Sequence, residues 1–531
     1  MGRTDEFLSS ISGFLRAKDA AQLQQWLVVE PPLADAYAEL SRELKTIDID
    51  KAVAKIDNDD AWPGFIAFMT LYLDFFRRVD YGNLLDTHNQ LSALVNSCIT
   101  AMSNASYGIL VLPTTIQLCT ALATLAMTLD KRPDLTRRWR AADDGEARKT
   151  LVEGTAESIQ RAFTICLTER TSNRDGIKDG KPEGKKIGIY SFANLVLKLL
   201  FRCQKTPLAE QLFTNIMQNS PPLALYPASH RVTYLYYLGR FLFSNTHFYK
   251  AHLCLQSAYS QCHAQCINQR RNILIYLITT SLILGRHPSP TLLARPEAST
   301  LHSKFAPVIA AMRTGNLAAY RHALGPTSPH HAWFLRRGIL LPLLYRGDVL
   351  VWRSLARRSF LLTYHVPADT TTRKAPTLDL HALLLAAQLC QRILEAEAAR
   401  QGRKLQPSMG LISGSLMPDI TDVEAIVASL VAQDLLHGFV SNSLKRFAIL
   451  GAKQKGGALA AGFPAPWGVM KARAAAAGDV PGWKRTGADW DKISNVLGQC
   501  RVAVTAIIAV TAIAAATAIT AITAIAANTN Y

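Results

Sequence analysis

The sequence predicts a mainly α fold, a helical-repeat solenoid closed at its C-terminal end by a winged helix. Three observations predict it. Apolar residues recur at helical spacing from Phe7 onward. Near Phe439 the period changes to two over a short stretch with basic residues at its turn. The 531 residues are 49% hydrophobic and 18% charged, enough to bury a large core.

The first part, residues 1–170, reads as N-terminal helical repeats. Its apolar runs are Phe7–Phe14, Leu23–Val29 and Phe65–Phe76, with Pro31-Pro32 as a break, followed by Leu91–Ile99 and Val111–Leu129. Residues 171–188 include TSNRDGIKDGKPEGKK, which has no apolar period and predicts an exposed basic, Gly-rich loop. The repeats proper span 189–366. Gly239, Ala251, Leu255 and Ala258 have the spacing of a tetratricopeptide-like unit, in which small residues let two helices approach, and Ala209 with Phe213 repeats the feature upstream. Such units stack into a right-handed solenoid. A further helix is expected over Asn272–Leu284, stopped by Gly285, Pro288 and Pro290.

Pro367–Pro376 reads as a Thr-rich linker, and 377–463 as the winged-helix part, with a helix over Leu378–Glu397 and an insertion near 398–418. Val423, Ile426, Val427, Leu430, Val431 and Leu435 predict an amphipathic helix over Asp422–Leu436. Thr421 is its expected N-cap, Glu424 completes a capping box, and Gly438 is the expected left-handed C-terminal residue. Phe439 and Val440, then Phe447 and Ile449, form the expected hairpin about Asn442-Ser443. Residues 464–531 change character: Pro464, Pro466, Trp467 and Pro481 argue against a continuing element. The final uncharged Ala/Thr/Ile run is long enough to span a bilayer, yet its Thr-Ala-Ile repetition reads as a low-complexity extension, and no membrane attachment is expected.

The order of parts resembles a PCI domain, helical repeats followed by a winged helix. It is most similar to the family of PCI-domain-containing protein 2 and COP9 signalosome subunit 12, which includes the PCI subunit of the nuclear-pore-associated transcription-export complex. The resemblance rests on HRVTYLYYLGRFLF from His230, FYKAHLCLQSAYSQCH from Phe248, NQRRNILIYLITTSLILGRHP from Asn268, Phe334-Leu335-Arg336 and the ending at Phe463-Pro464. It covers Ser191–Trp467, while the N-terminal third matches only in layout. It implies a non-enzymatic scaffold in the nucleus, at the nuclear pore, with the cytoplasm open as a second location, and with two protein partners. These are a large helical scaffold protein carrying its own winged helix, and a small acidic subunit. A peripheral signalosome subunit acting in cullin deneddylation needs the same fold and stays open as the alternative.

The chemistry in the residues agrees with a binding role. There is no Gly-x-Ser-x-Gly elbow, His-Glu-x-x-His or dinucleotide fingerprint, and Gly457-Ala458 stands where a phosphate loop needs Lys-Ser/Thr. No cofactor is expected. His252, Cys254, Cys262, His263 and Cys266 invite a zinc reading, but three cysteines eight and four apart share one helix face and close no tetrahedron, so core packing is expected. The nine cysteines are odd in number and follow a polar, acidic start, which points to a reducing intracellular compartment.

The net charge of +18 favours an anionic partner. Arg336, Arg337, Arg346, Arg353, Arg357 and Arg358 crowd one segment against the single acid Asp348, and arginine forks hold phosphate bidentately. Around the wing stand Lys445, Arg446, Lys453, Lys455, Lys471, Arg473, Lys484 and Arg485, opposed by Asp479 alone. The helix before the wing is acidic, with Asp422, Glu424 and Asp434, so base reading from the major groove is not expected. The candidate contacts to RNA or DNA, without sequence preference, are therefore Lys445, Arg446, Lys453, Lys455, Arg336, Arg337, Arg353, Arg357 and Arg358.

Overall fold

A computed structural model describes residues 2–31, 35–54, 56, 62–132, 134–135, 150–170, 176–365, 375–406, 409–412 and 417–476. The chain is mainly α, and it divides into two units, Met1–Phe241 and Leu242–Thr486. The Ala/Thr/Ile run lies outside the described residues.

In the first unit the predicted apolar runs become helices, Arg3–Ala17, Ala20–Trp26, Pro63–Arg78, Leu84–Met102 and Leu112–Asp130, and a further helix covers Leu151–Thr168. Phe7 stacks on Tyr72 at 6.1 Å, and Trp62 on Phe65 at 4.7 Å, so the aromatic residues spaced three or four apart fill the seams. The segment after Trp26 is held by tyrosines: Tyr37 donates to the carbonyl of Trp26 at 2.6 Å, and Tyr72 and Tyr81 to those of Val28 and Val29 at 3.0 Å each. Thr150 and Glu153 cap each other at the start of Leu151–Thr168. Among the described residues one helix, Leu112–Asp130, is long and apolar enough to cross a membrane. Its Leu118, Cys119, Leu122, Ala126 and Leu129 are fully buried in this unit.

The expected exposed loop is a correction over part of its length. Residues 171–175 lie outside the described residues, but Ile177-Lys178 pairs with Lys181-Pro182, and a 3-10 turn covers Gly184–Gly188. Lys185 and Lys186 are buried there. The reason is a carboxylate: Lys185 Nζ lies 3.6 Å from Glu169 and donates to the carbonyl of Asn104 at 2.9 Å.

The second unit carries helices Phe248–Gln261, Ile267–Ile283, Ser299–Thr314, Leu317–Leu324 and Asp348–Thr363. Ala251, Leu255 and Ala258 are fully buried on the first, the small-residue face that the repeat reading expects. Gly315 ends Ser299–Thr314 at φ +75°, and a Cβ there would lie 2.4 Å from the backbone nitrogen of Leu355, so only glycine lets the two helices approach. The cysteines do not share a helix. Cys254 lies within Phe248–Gln261, Cys262 caps its end, and Cys266 caps the start of the next helix, with the first two buried and Cys266 exposed. Among the described residues no three His, Cys, Asp or Glu side chains cluster to hold a metal ion.

The winged helix follows. A three-stranded sheet sets Arg446–Ile449 between Thr377–Asp379 and Gly438–Ser441, antiparallel to both. Leu378 and Val440 both pair with Phe447, and Leu378 and Phe447 are fully buried. Helices Leu380–Arg400 and Ile420–Ala432 complete the module. The described part of the expected insertion is pinned at Leu411, whose N–H donates to Gln391 Oε1 at 3.0 Å.

Two capping expectations move. Asp419, not Thr421, is the N-cap, and its partner in the capping box is Asp422, not Glu424. The Thr421 hydroxyl instead donates to Asp419 Oδ1 at 2.6 Å. The left-handed residue beyond the helix is Asp434, at φ +58°, while Gly438 is already in its strand.

Beyond the wing, Pro466–Ala476 is a helix whose Trp467 ring lies 5.0 Å from His252. His252 Nδ1 sits 3.5 and 3.4 Å from the hydroxyls of Thr280 and Ser281, which already donate to backbone carbonyls, so this nitrogen is placed to carry the proton. Burial, then the Arg286 guanidinium, push the His252 pKa down to about 4. The neutral ring therefore supports the fold fully above the ordinary value near 6.5, and that support is lost as pH falls from there towards 4. We expect stability to drop by up to about 3 kcal/mol across that window through this residue. Urea unfolding at stepped pH checks it, with His252→Asn showing a shallower slope.

Candidate nucleic-acid interface

The wing is built by the hairpin turn Asn442–Lys445 and the loop Gly451–Gly457, with glycines at φ +75°, +74° and +116° at positions 451, 456 and 457. Lys453 and Lys455 project from that loop, exposed. Arg446 is exposed on the central strand, across from Asp379 and Ser441. Lys445 differs. Its Nζ pairs with Glu424 Oε1 at 3.0 Å and donates to Asn442 Oδ1 at 2.6 Å, and its carbonyl accepts from Leu380 N–H. Lys445 therefore ties the turn to the acidic helix, and the outward charge of the wing comes from Arg446, Lys453 and Lys455. Downstream, Lys471 is exposed, Arg473 is paired with Asp434 at 2.9 Å, and Lys484 and Arg485 lie outside the described residues.

The arginine segment needs a larger correction. Arg353 is only 8% exposed. Its Nε donates to the carbonyl of Leu435 at 3.2 Å, and its Nη2 to those of Phe463 and Pro464 at 3.0 and 2.6 Å. Burial, then the nearby Arg357, lower its pKa to about 10. A guanidinium spent on three carbonyls, two of the bonds buried and the one to Pro464 half-buried, holds the winged helix to the helix Asp348–Thr363 and has no fork to offer a phosphate. The acid Asp348 does not neutralise the segment either, since it pairs with Arg321 at 3.3 Å. Arg336 and Arg337 are exposed, as are Arg357 and Arg358.

Arg357 and Arg358 line a groove of about 620 Å³ together with Arg313 and His287. Sequence reasoning missed the last two. They stand apart from the arginine segment along the chain: the packing of Ser299–Thr314 against Asp348–Thr363 brings in Arg313, and the segment after Gly285 brings in His287.

The winged-helix order and the repeat packing place this chain beside named proteins. No protein-family model matches it. It is 29% identical over 297 residues to a PCI domain-containing protein of Schizosaccharomyces pombe, covering 56% of this chain and 59% of that protein. PCI domain-containing protein 2 of Danio rerio is 28% identical over 299 residues, 56% of this chain and 63% of its own. A protein CSN12 homolog of Gibberella zeae is 28% identical over 294 residues, 53% of this chain and 56% of its own. The chain is similar to PCI domain-containing protein 2 and the CSN12 homologs over more than half of its length. Its match spans less than two thirds of the length of these PCI-family relatives. At the wing, then, stand three exposed cations, Arg446, Lys453 and Lys455, and behind it the locked Arg353 and the exposed Arg357 and Arg358.

Proposed function

We propose that this chain is a non-enzymatic scaffold subunit of a nuclear multiprotein complex coupling transcription to messenger-RNA export at the nuclear pore. Its repeats bind a large helical partner, whose own winged helix pairs with this one, and a small acidic subunit completes the assembly. The wing contacts RNA or DNA without sequence preference. The observation that carries this reading is the outward set of Arg446, Lys453 and Lys455 on a winged helix whose other lysine at that turn is neutralised internally. Lys453 and Lys455 sit on a projecting loop with no carboxylate partner among the described residues, and Arg446 adds a third outward charge from the strand, across from Asp379; such cations suit a phosphate backbone, which rewards charge and ignores base identity. The net charge of +18 and the PCI names of the relatives support it. The reading assigns no catalytic residue, metal or cofactor.

The second reading is a peripheral COP9 signalosome subunit acting in cullin deneddylation, favoured by the relatives named CSN12 homolog. Purification through an N-terminal tag from nuclear extract, with the accompanying chains identified by mass spectrometry, separates the two. Recovery of a large helical scaffold and a small acidic protein is the expected result. Recovery of several signalosome subunits in their place moves the function to cullin regulation.

A further inference from the structure

The groove behind the winged helix is charged in a way that the fold does not use. Arg313 closes the last turn of Ser299–Thr314, while Arg357 and Arg358 stand on Asp348–Thr363, and His287 lies on the segment after Gly285. Among the described residues no Asp or Glu lines the groove, and none of these three arginines has a carboxylate partner within ion-pair distance. The charges act on one another instead. Arg357 helps burial lower the Arg353 pKa, and Arg313 helps burial lower that of His287. Like charges gathered in a concave site, without internal neutralisation, favour an anion from outside, because the low-dielectric walls strengthen its attraction.

The rest of the lining narrows the class of anion. Leu361 and Leu362 are 47% and 75% exposed at the rim, and Met312 and Leu350 line the groove as well. The volume falls in the range of about 300–1,000 Å³ typical of small-molecule sites, larger than a lone phosphate requires. We propose that this groove binds a nucleotide through its phosphates, with Arg313, Arg357 and Arg358 taking phosphate oxygens and the leucine rim covering the base. Arg353 forms the floor but stays with its three carbonyls. The inference goes beyond the wing reading and does not depend on it. The nucleotide is either free or part of a nucleic-acid strand, and both present the same chemistry.

Titration calorimetry on the full chain tests it, with ATP, tripolyphosphate and a 5′-phosphorylated hexanucleotide as probes. ATP or the hexanucleotide is expected to bind, and Arg313→Glu and Arg357→Glu each to weaken that binding tenfold or more. Because both side chains are exposed, these variants should keep the wild-type melting temperature. Arg357→Lys is expected to weaken binding less than Arg357→Glu. Lys453→Glu/Lys455→Glu is expected to leave ATP binding unchanged, so failure of the wing and failure of the groove are read separately. Binding of the hexanucleotide without ATP, lost in Arg313→Glu and Arg357→Glu, assigns the strand as the source. Tripolyphosphate binding as tightly as ATP would overturn the role of the leucine rim. Absence of binding by all three probes, or wild-type affinity in both glutamate variants, would overturn the site itself.

Discussion

An Arg353→Ala variant is expected to lose about 4 kcal/mol of stability, the sum of lost charge-assisted bonds and of buried carbonyls left without donors. The guanidinium gathers the carbonyls of Leu435, Phe463 and Pro464, at the end of the winged-helix core and the segment leaving it. Removing it strands acceptors on two separate stretches at once, so the loss exceeds that of one surface hydrogen bond. Arg353→Lys should recover little, because an ammonium on a flexible stem cannot span three carbonyls as a planar fork does. Urea unfolding measures the loss. Hydrogen exchange locates it: the His437 amide, which donates to the carbonyl of Gly462 beside this cluster, should exchange faster. A change under 1 kcal/mol would mean that the winged helix is held to Asp348–Thr363 by apolar packing alone.

Arg353 also shows where the sequence stops being legible. Read along the chain, it is one of six arginines in a basic segment, alike in type to Arg357 and Arg358. What separates it is burial, decided by the carbonyls of residues near 435 and 463 that no local pattern reveals. Lys445 follows the same logic, since the Glu424 that neutralises it sits on another element. Arg313 and His287 join the groove by the reverse route, as ordinary residues gathered by tertiary packing.

Periodic features were legible. The helices of the repeats and the hairpin of the wing follow from spacing alone, because a helix or a half-buried strand imposes its period on the apolar residues. The strand Thr377–Asp379 was not, since three residues are too few to show a period, and it was read as the start of a helix. The cap shifted for a chemical reason. Asp419 and Asp422 have the same three-residue spacing as Thr421 and Glu424, and a carboxylate caps as well as a hydroxyl.

The central claim is that the wing holds nucleic acid by charge. It is tested most directly by measuring the affinity of the full chain for a short single-stranded RNA over a range of salt concentrations, beside Arg446→Glu/Lys453→Glu/Lys455→Glu. Lys445 is left unchanged, because a glutamate there would face Glu424 and disturb the turn. Each single-strand phosphate contact contributes about 0.7 to the slope of log affinity against log salt, so losing three should flatten it by about 2. Charge reversal should weaken binding about a hundredfold at low salt. Partner recovery should be unchanged, since all three side chains are exposed, while Arg446→Glu, which faces Asp379 across the sheet, lowers the melting temperature by a few degrees at most and Lys453→Glu/Lys455→Glu alone leaves it unchanged. That result is the one predicted. Wild-type affinity with an unaltered salt slope in the triple variant would contradict the account and remove the wing from the interface.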